Sequence, residues 1–69
     1  MPGSARPDQL RSQVNIKLPE GEYETVGGFV MDRLGRIPRR GDRLDFEGWV
    51  IRVRRMEGRR VAEVELLKR

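Results

Sequence analysis

Sixty-nine residues hold one small domain, which buries only about 60% of the surface its unfolded chain exposes. Hydrophobic residues make up 36% and charged residues 38%, so the core is one thin apolar layer and not the wall of a deep pocket. Fifteen Lys and Arg outweigh eleven Asp and Glu to give +4, and the absence of Cys and His excludes disulfides, thiolate catalysis, Cys/His zinc sites and Ser-His or Cys-His nucleophiles.

Residues 1–7 (MPGSARP) carry two Pro, a Gly and a Ser, which predicts a disordered arm or an expression remnant before a domain over 8–69. Asp8 is a predicted N-cap for a short helix through Gln13, with Leu10 and Val14 on one face. Leu18-Pro19-Glu20-Gly21 forms a turn. A stronger helix follows. Thr25 caps it, Val26, Phe29, Val30 and Leu34 repeat at helical spacing, and Gly35 stops it. Gly27 and Gly28 each cost a helix about 1 kcal/mol against Ala, so they need a reason. Close approach of the helix backbone to a sheet is one; a run of exposed amides that binds an anion is the other. Packing is the better reading, because the phosphate-loop and dinucleotide-loop glycine patterns are absent.

Residues 37–42 form a connecting loop, and three strands follow. With Glu47-Gly48 and Glu57-Gly58 as two-residue hairpin loops, Phe46 faces Trp49 and Leu44 faces Ile51. Across the second turn Val53 faces Ala62, Ile51 faces Val64, Trp49 faces Leu66 and Arg55 faces Arg60. These apolar residues share a dry face. Arg52, opposite Glu63, and Val61 lie on the wet one. The predicted fold is therefore α+β: a small antiparallel three-stranded meander covered by one main helix, with a short N-terminal helix.

The residues offer little chemistry. The acids sit at turns, at helix starts or on the wet face, so neither an acid–base pair nor an oxygen-ligand metal site forms; Asp42, Asp45 and Glu47 are close in sequence but diverge in direction. No cofactor is expected. Thirteen of the fifteen cations are Arg, whose planar fork suits carboxylate or phosphate. Arg39 and Arg40 in the loop, and Arg55, Arg59 and Arg60 around the second hairpin, are the predicted contacts for an acidic partner or an anion. A basic nucleic-acid module is the alternative. It is disfavoured because Phe29, Phe46 and Trp49 belong to the core and leave few aromatic faces for stacking.

Several motifs recur together: LPEGEYETVGG (Leu18–Gly28), LGRIPRRGD (Leu34–Asp42), GWVIRV (Gly48–Val53) and GRR (Gly58–Arg60). In this order they resemble the transporter-associated domain at the C-terminus of CorC/HlyC-type proteins. The resemblance implies a non-catalytic module behind a membrane region and a CBS pair, in proteins of magnesium and cobalt efflux, some called haemolysins. It implies a cytoplasmic domain whose partner is the rest of that membrane-anchored protein. The implied fold is similar in shape to a subdomain of FAD-binding oxidases, with no flavin implied. Family members begin with about two further strands, where this chain has MPGSARPDQLRSQ. The sheet edge those strands would cover is then open, which predicts a homodimer through strand pairing.

Overall fold

The computed structural model describes residues 1–69. Helices α1 (Pro7–Val14) and α2 (Val26–Leu34) precede strands β1 (Arg43–Phe46), β2 (Trp49–Glu57) and β3 (Arg60–Lys68). The strands form one antiparallel sheet in the order β1-β2-β3. No helix is long and apolar enough to cross a membrane.

α1 starts earlier than expected. Pro7 occupies its first turn, where a missing N–H costs nothing, and the cap residue is Arg6, not Asp8. The Arg6 amide donates to Gln9 Oε1 at 2.9 Å. Asn15, left-handed at φ 58°, closes the helix, and Ile16 and Leu18 then drop into the core. α2 has the predicted limits. Thr25 Oγ1 accepts from the Gly28 amide at 3.0 Å, and Gly35 at φ 70° donates to the Met31 carbonyl.

α2 lies over the dry face of the sheet. Val26, Phe29 and Val30 meet Ile51, Val53 and Val64, all fully buried, with Leu10 beside them. Phe29 centres an aromatic chain: its ring is 5.2 Å from Tyr23 and 5.2 Å from Phe46, both edge to face. The Arg33 guanidinium covers the Phe29 and Phe46 rings at 5.3 and 5.4 Å. Burial pushes the Tyr23 hydroxyl pKa up, and its oxygen finds no hydrogen-bond partner in the protein.

The first hairpin has the predicted register, with Glu47 and Gly48 both at positive φ and Phe46 opposite Trp49. The second turns one residue later, at Gly58-Arg59. Glu57 then faces Arg60, Val53 faces Val64 and Ile51 faces Leu66. Gly58, at φ 63°, takes the first loop position, where a type II′ turn wants Gly. The shift amounts to two residues of register. It keeps Ile51, Val53 and Val64 on the dry face and replaces the expected Arg55–Arg60 pair with Arg55–Glu63. Arg52 likewise faces Glu65, not Glu63.

Register irregularities either side of Arg55 reverse the alternation towards the turn. Val61, expected on the wet face, is therefore buried.

The first residues do not form a free arm. Met1 and Val64 exchange two backbone hydrogen bonds, at 3.0 Å from the Met1 amine and 2.8 Å from the Val64 amide. Pro2 bridges to Glu63, and the Gly3 amide donates to the Ala62 carbonyl at 2.8 Å. Ala5 is buried. The segment pairs with part of the β3 edge that was expected to be open. Backbone pairing and the burial of Ala5 outweigh its loop-like composition.

Candidate functional site

The five predicted arginines do not form one cluster. Arg55 and Arg60 line a groove of about 550 Å³ between the second hairpin, the start of α2 and residues 2–4. Arg59 stands exposed at the hairpin tip. Arg40 lines a second groove of about 490 Å³ with Arg52, Arg54 and Glu65. Arg39 lines neither groove.

The floor of the first groove explains the glycines. A Cβ on Gly27 would stand 3.0 Å from the Gly3 carbonyl oxygen and 3.0 Å from Val61 Cβ. A Cβ on Gly3 would lie 1.9 Å from the Val61 carbonyl oxygen. Glycine here lets the N-terminal segment, α2 and β3 meet backbone to backbone. The predicted close approach is present at Gly27, with the N-terminal segment taking part in it; Gly28 lies instead against Tyr23 and Thr25, not against the sheet.

The competing anion cradle is absent, because the amides at the start of α2 are already engaged. Val26 donates to the Ala5 carbonyl at 2.8 Å, Gly27 to Gly3 at 2.9 Å, Gly28 to Thr25 Oγ1 at 3.0 Å and Phe29 to the Thr25 carbonyl at 3.0 Å. Any anion in this groove would rest on side chains alone.

Those side chains differ in freedom. Arg55 lies 3.6 Å from Glu57 and 3.9 Å from Glu63. Arg59, Arg60, Arg39 and Arg40 have no carboxylate within 4.0 Å. The hairpin tip therefore presents two unpaired, solvated cations beside a third that is loosely paired.

The loop before β1 is organised by a residue whose role was not anticipated. Asp42 Oδ2 accepts from Arg36 Nη1 at 2.7 Å and from the Arg39 amide at 2.8 Å. The Asp42 carbonyl also accepts from the Val53 amide at 2.7 Å, tying the loop to β2. The only sequence signal was the Arg-Gly-Asp ending of the loop, which reads simply as a turn.

The Arg36 guanidinium, then the Arg39 amide, hold the Asp42 carboxyl below its ordinary range. A lowered folded-state pKa contributes stability that is present above the ordinary carboxylate range and is lost as pH falls through the folded value. Asp42→Asn is therefore expected to lower Tm at pH 7. The gap from the unaltered chain should close on acidification. A gap that stays constant down to pH 2 would show that the carboxylate's charge contributes nothing.

Asp45, a second of the three acids weighed as metal ligands, lies 3.2 Å from Arg69. The two Asp side chains nearest one another in this region thus serve different cations.

The family model of the transporter-associated domain matches residues 1–69, the whole chain. A UPF0053 protein of Mycobacterium tuberculosis is 36% identical over 96% of this chain and 17% of its own length. The magnesium and cobalt efflux protein CorC of Escherichia coli is 36% identical over 65% of the chain and 15% of its own length. The transporter-associated domain of a Xylella fastidiosa hemolysin, solved with Mg and Mn, superposes with a TM-score of 0.87 at 28% identity, covering 100% of this chain and 84% of that one. The chain thus spans less than a fifth of the curated relatives' length. With the whole chain matched and the superposition complete, the chain belongs to the transporter-associated domain family of CorC/HlyC-type proteins.

Proposed function

We propose that the chain is a non-catalytic, cytoplasmic module of a CorC-type membrane protein and modulates its transport of magnesium and cobalt. The whole-chain family match, joined to the efflux function named for the Escherichia coli relative, carries this reading. Docking against an acidic surface of the remaining protein is the mechanism. The contacts are the hairpin-end cations Arg55, Arg59 and Arg60, with Arg39 and Arg40 of the loop as a second point. Arg59 and Arg60 are solvated and unpaired, so meeting a carboxylate costs them no existing ion pair.

Arg59→Gln with Arg60→Gln is expected to weaken binding of this chain to the remaining cytoplasmic part of such a protein about tenfold, with Tm unchanged. Equal affinity in titration calorimetry would refute the assignment of these residues.

A nucleic-acid module is less well supported. Phe29 is buried, and Tyr23, Phe46 and Trp49 are half-buried, so stacking faces are few.

A homodimer through the sheet edge has less room than the sequence suggests. On the β3 edge Met1 to Gly3 occupy the stretch beside Ala62–Val64, which leaves Leu66–Lys68 there for a second copy; β1 forms the other edge of the sheet. Sedimentation at high micromolar concentration that shows monomer alone would exclude that pairing.

A further inference from the structure

The solvent face of the sheet carries a charge arrangement that the docking at the hairpin end does not use. Leu44, Phe46, Ile51 and Val53 point towards the core, so alternation places Arg43, Asp45, Val50 and Arg52 outward. Arg43 and Arg52 lie directly opposite each other on β1 and β2. A like-charge pair in that position destabilises a sheet.

Nearby acids offset it only in part. Glu65 is shared by Arg52 at 3.9 Å and Arg54 at 3.7 Å. Asp42 is held by Arg36 and Asp45 by Arg69. Arg40 and Arg43 have no carboxylate within 4.0 Å. Arg40, Arg52, Arg54 and Glu65 thus line one shallow groove, and Arg43 adds a fourth cation opposite Arg52 on the next strand.

The same face continues into an apolar pair. Val50 lies opposite Leu67, one step along the face from Arg52 and Glu65, and Leu67 is 43% exposed. We infer that this face docks an acidic segment of a protein partner, with carboxylates on the arginines and an apolar side chain on Val50 and Leu67. The two contacts are two residues apart along a strand, about 7 Å, which is the same-face spacing of an extended segment. A nucleic-acid backbone would satisfy the arginines but has nothing for Leu67, and the face presents no aromatic ring for a base. The inference does not rest on the ion-transport reading: it shares Arg40 with that docking surface, but neither Arg59 nor Arg60 lines this groove.

The test is anisotropy of a fluorescein-labelled peptide in which serine separates alternating glutamate and leucine, titrated with the 69-residue chain. Arg43→Glu is the decisive variant, because it should move binding and stability in opposite directions. It turns the pair facing Arg52 into an attractive one, raising Tm by about 2–4 °C, while affinity falls about tenfold. Leu67→Ser should lower affinity about threefold. Lys17→Glu makes the same change of charge at an exposed site in the loop after α1, outside both grooves, and should leave affinity within about twofold.

Three results would overturn the inference. Lys17→Glu could cost as much as Arg43→Glu, showing that only net charge matters. Oligothymidylate could displace the peptide more tightly than unlabelled peptide does, assigning the face to nucleic acid. Or the peptide could fail to bind the unaltered chain.

Discussion

Phe29→Ala is expected to lower stability by about 3–5 kcal/mol, the usual cost of deleting a buried aromatic side chain. Phe29 is 0% exposed and stands between the Tyr23 and Phe46 rings. It is the largest fully buried side chain, so the cavity it leaves would be bordered by α2 and the strands together. A chain of 69 residues has a total stability of only about 3–10 kcal/mol. The variant should therefore lose about a third or more of the total stability and, at the lower end of that range, be largely unfolded at 37 °C. Urea denaturation followed by Trp49 fluorescence measures this. A loss below about 1 kcal/mol would mean that the core is not organised around α2.

Gly27→Val should cost about 2–3 kcal/mol, although valine is the better helix former. At this position Cβ alone already touches the Gly3 carbonyl and Val61 at 3.0 Å, and two further methyl groups have no space. α2 cannot move away without giving up Phe29 and Val30, so the N-terminal segment must yield. The bonds of Gly3 to Ala62, Met1 to Val64 and Val26 to Ala5 would then break. Amide exchange should speed up at Gly3, Val26 and Val64, which donate those bonds, and stay slow at Val53. Slow exchange at all four, with unchanged stability, would show that the segment and α2 are not in contact.

The parts of the fold that were legible in the sequence are the local ones. α2 could be read because its cap, its apolar spacing and its closing glycine all lie within residues 25–35 and agree with one another. The first hairpin was legible for the same reason: Glu47-Gly48 suits a two-residue loop with both residues at positive φ.

The second hairpin was not, because Glu57-Gly58 and Gly58-Arg59 are both competent loops. The choice is settled by cross-strand partners and by the irregularities around Arg55. These place Val61 under Gly27, a long-range contact that no local pattern encodes. The N-terminal segment was misread for a related reason. Its Pro, Gly and Ser are loop residues by composition, yet Gly3 is the residue small enough to lie against Val61.

The candidate site was legible in residue type, but not in which neighbours each cation joins. The excess of Arg was plain, but the backbone path sends Arg40 to the groove with Arg52 and Arg54 and sends Arg55 and Arg60 to the groove beside α2. Which carboxylates are spent on which cations depends on register, and the register of the second hairpin came only with the structure.

The most direct measurement is cobalt efflux from cells carrying a full-length CorC-type protein that contains this domain, with and without Arg59→Gln and Arg60→Gln together. Regulation through the hairpin cations predicts equal amounts of protein in the membrane and an efflux rate changed about fivefold or more. Equal efflux at equal membrane abundance would contradict it.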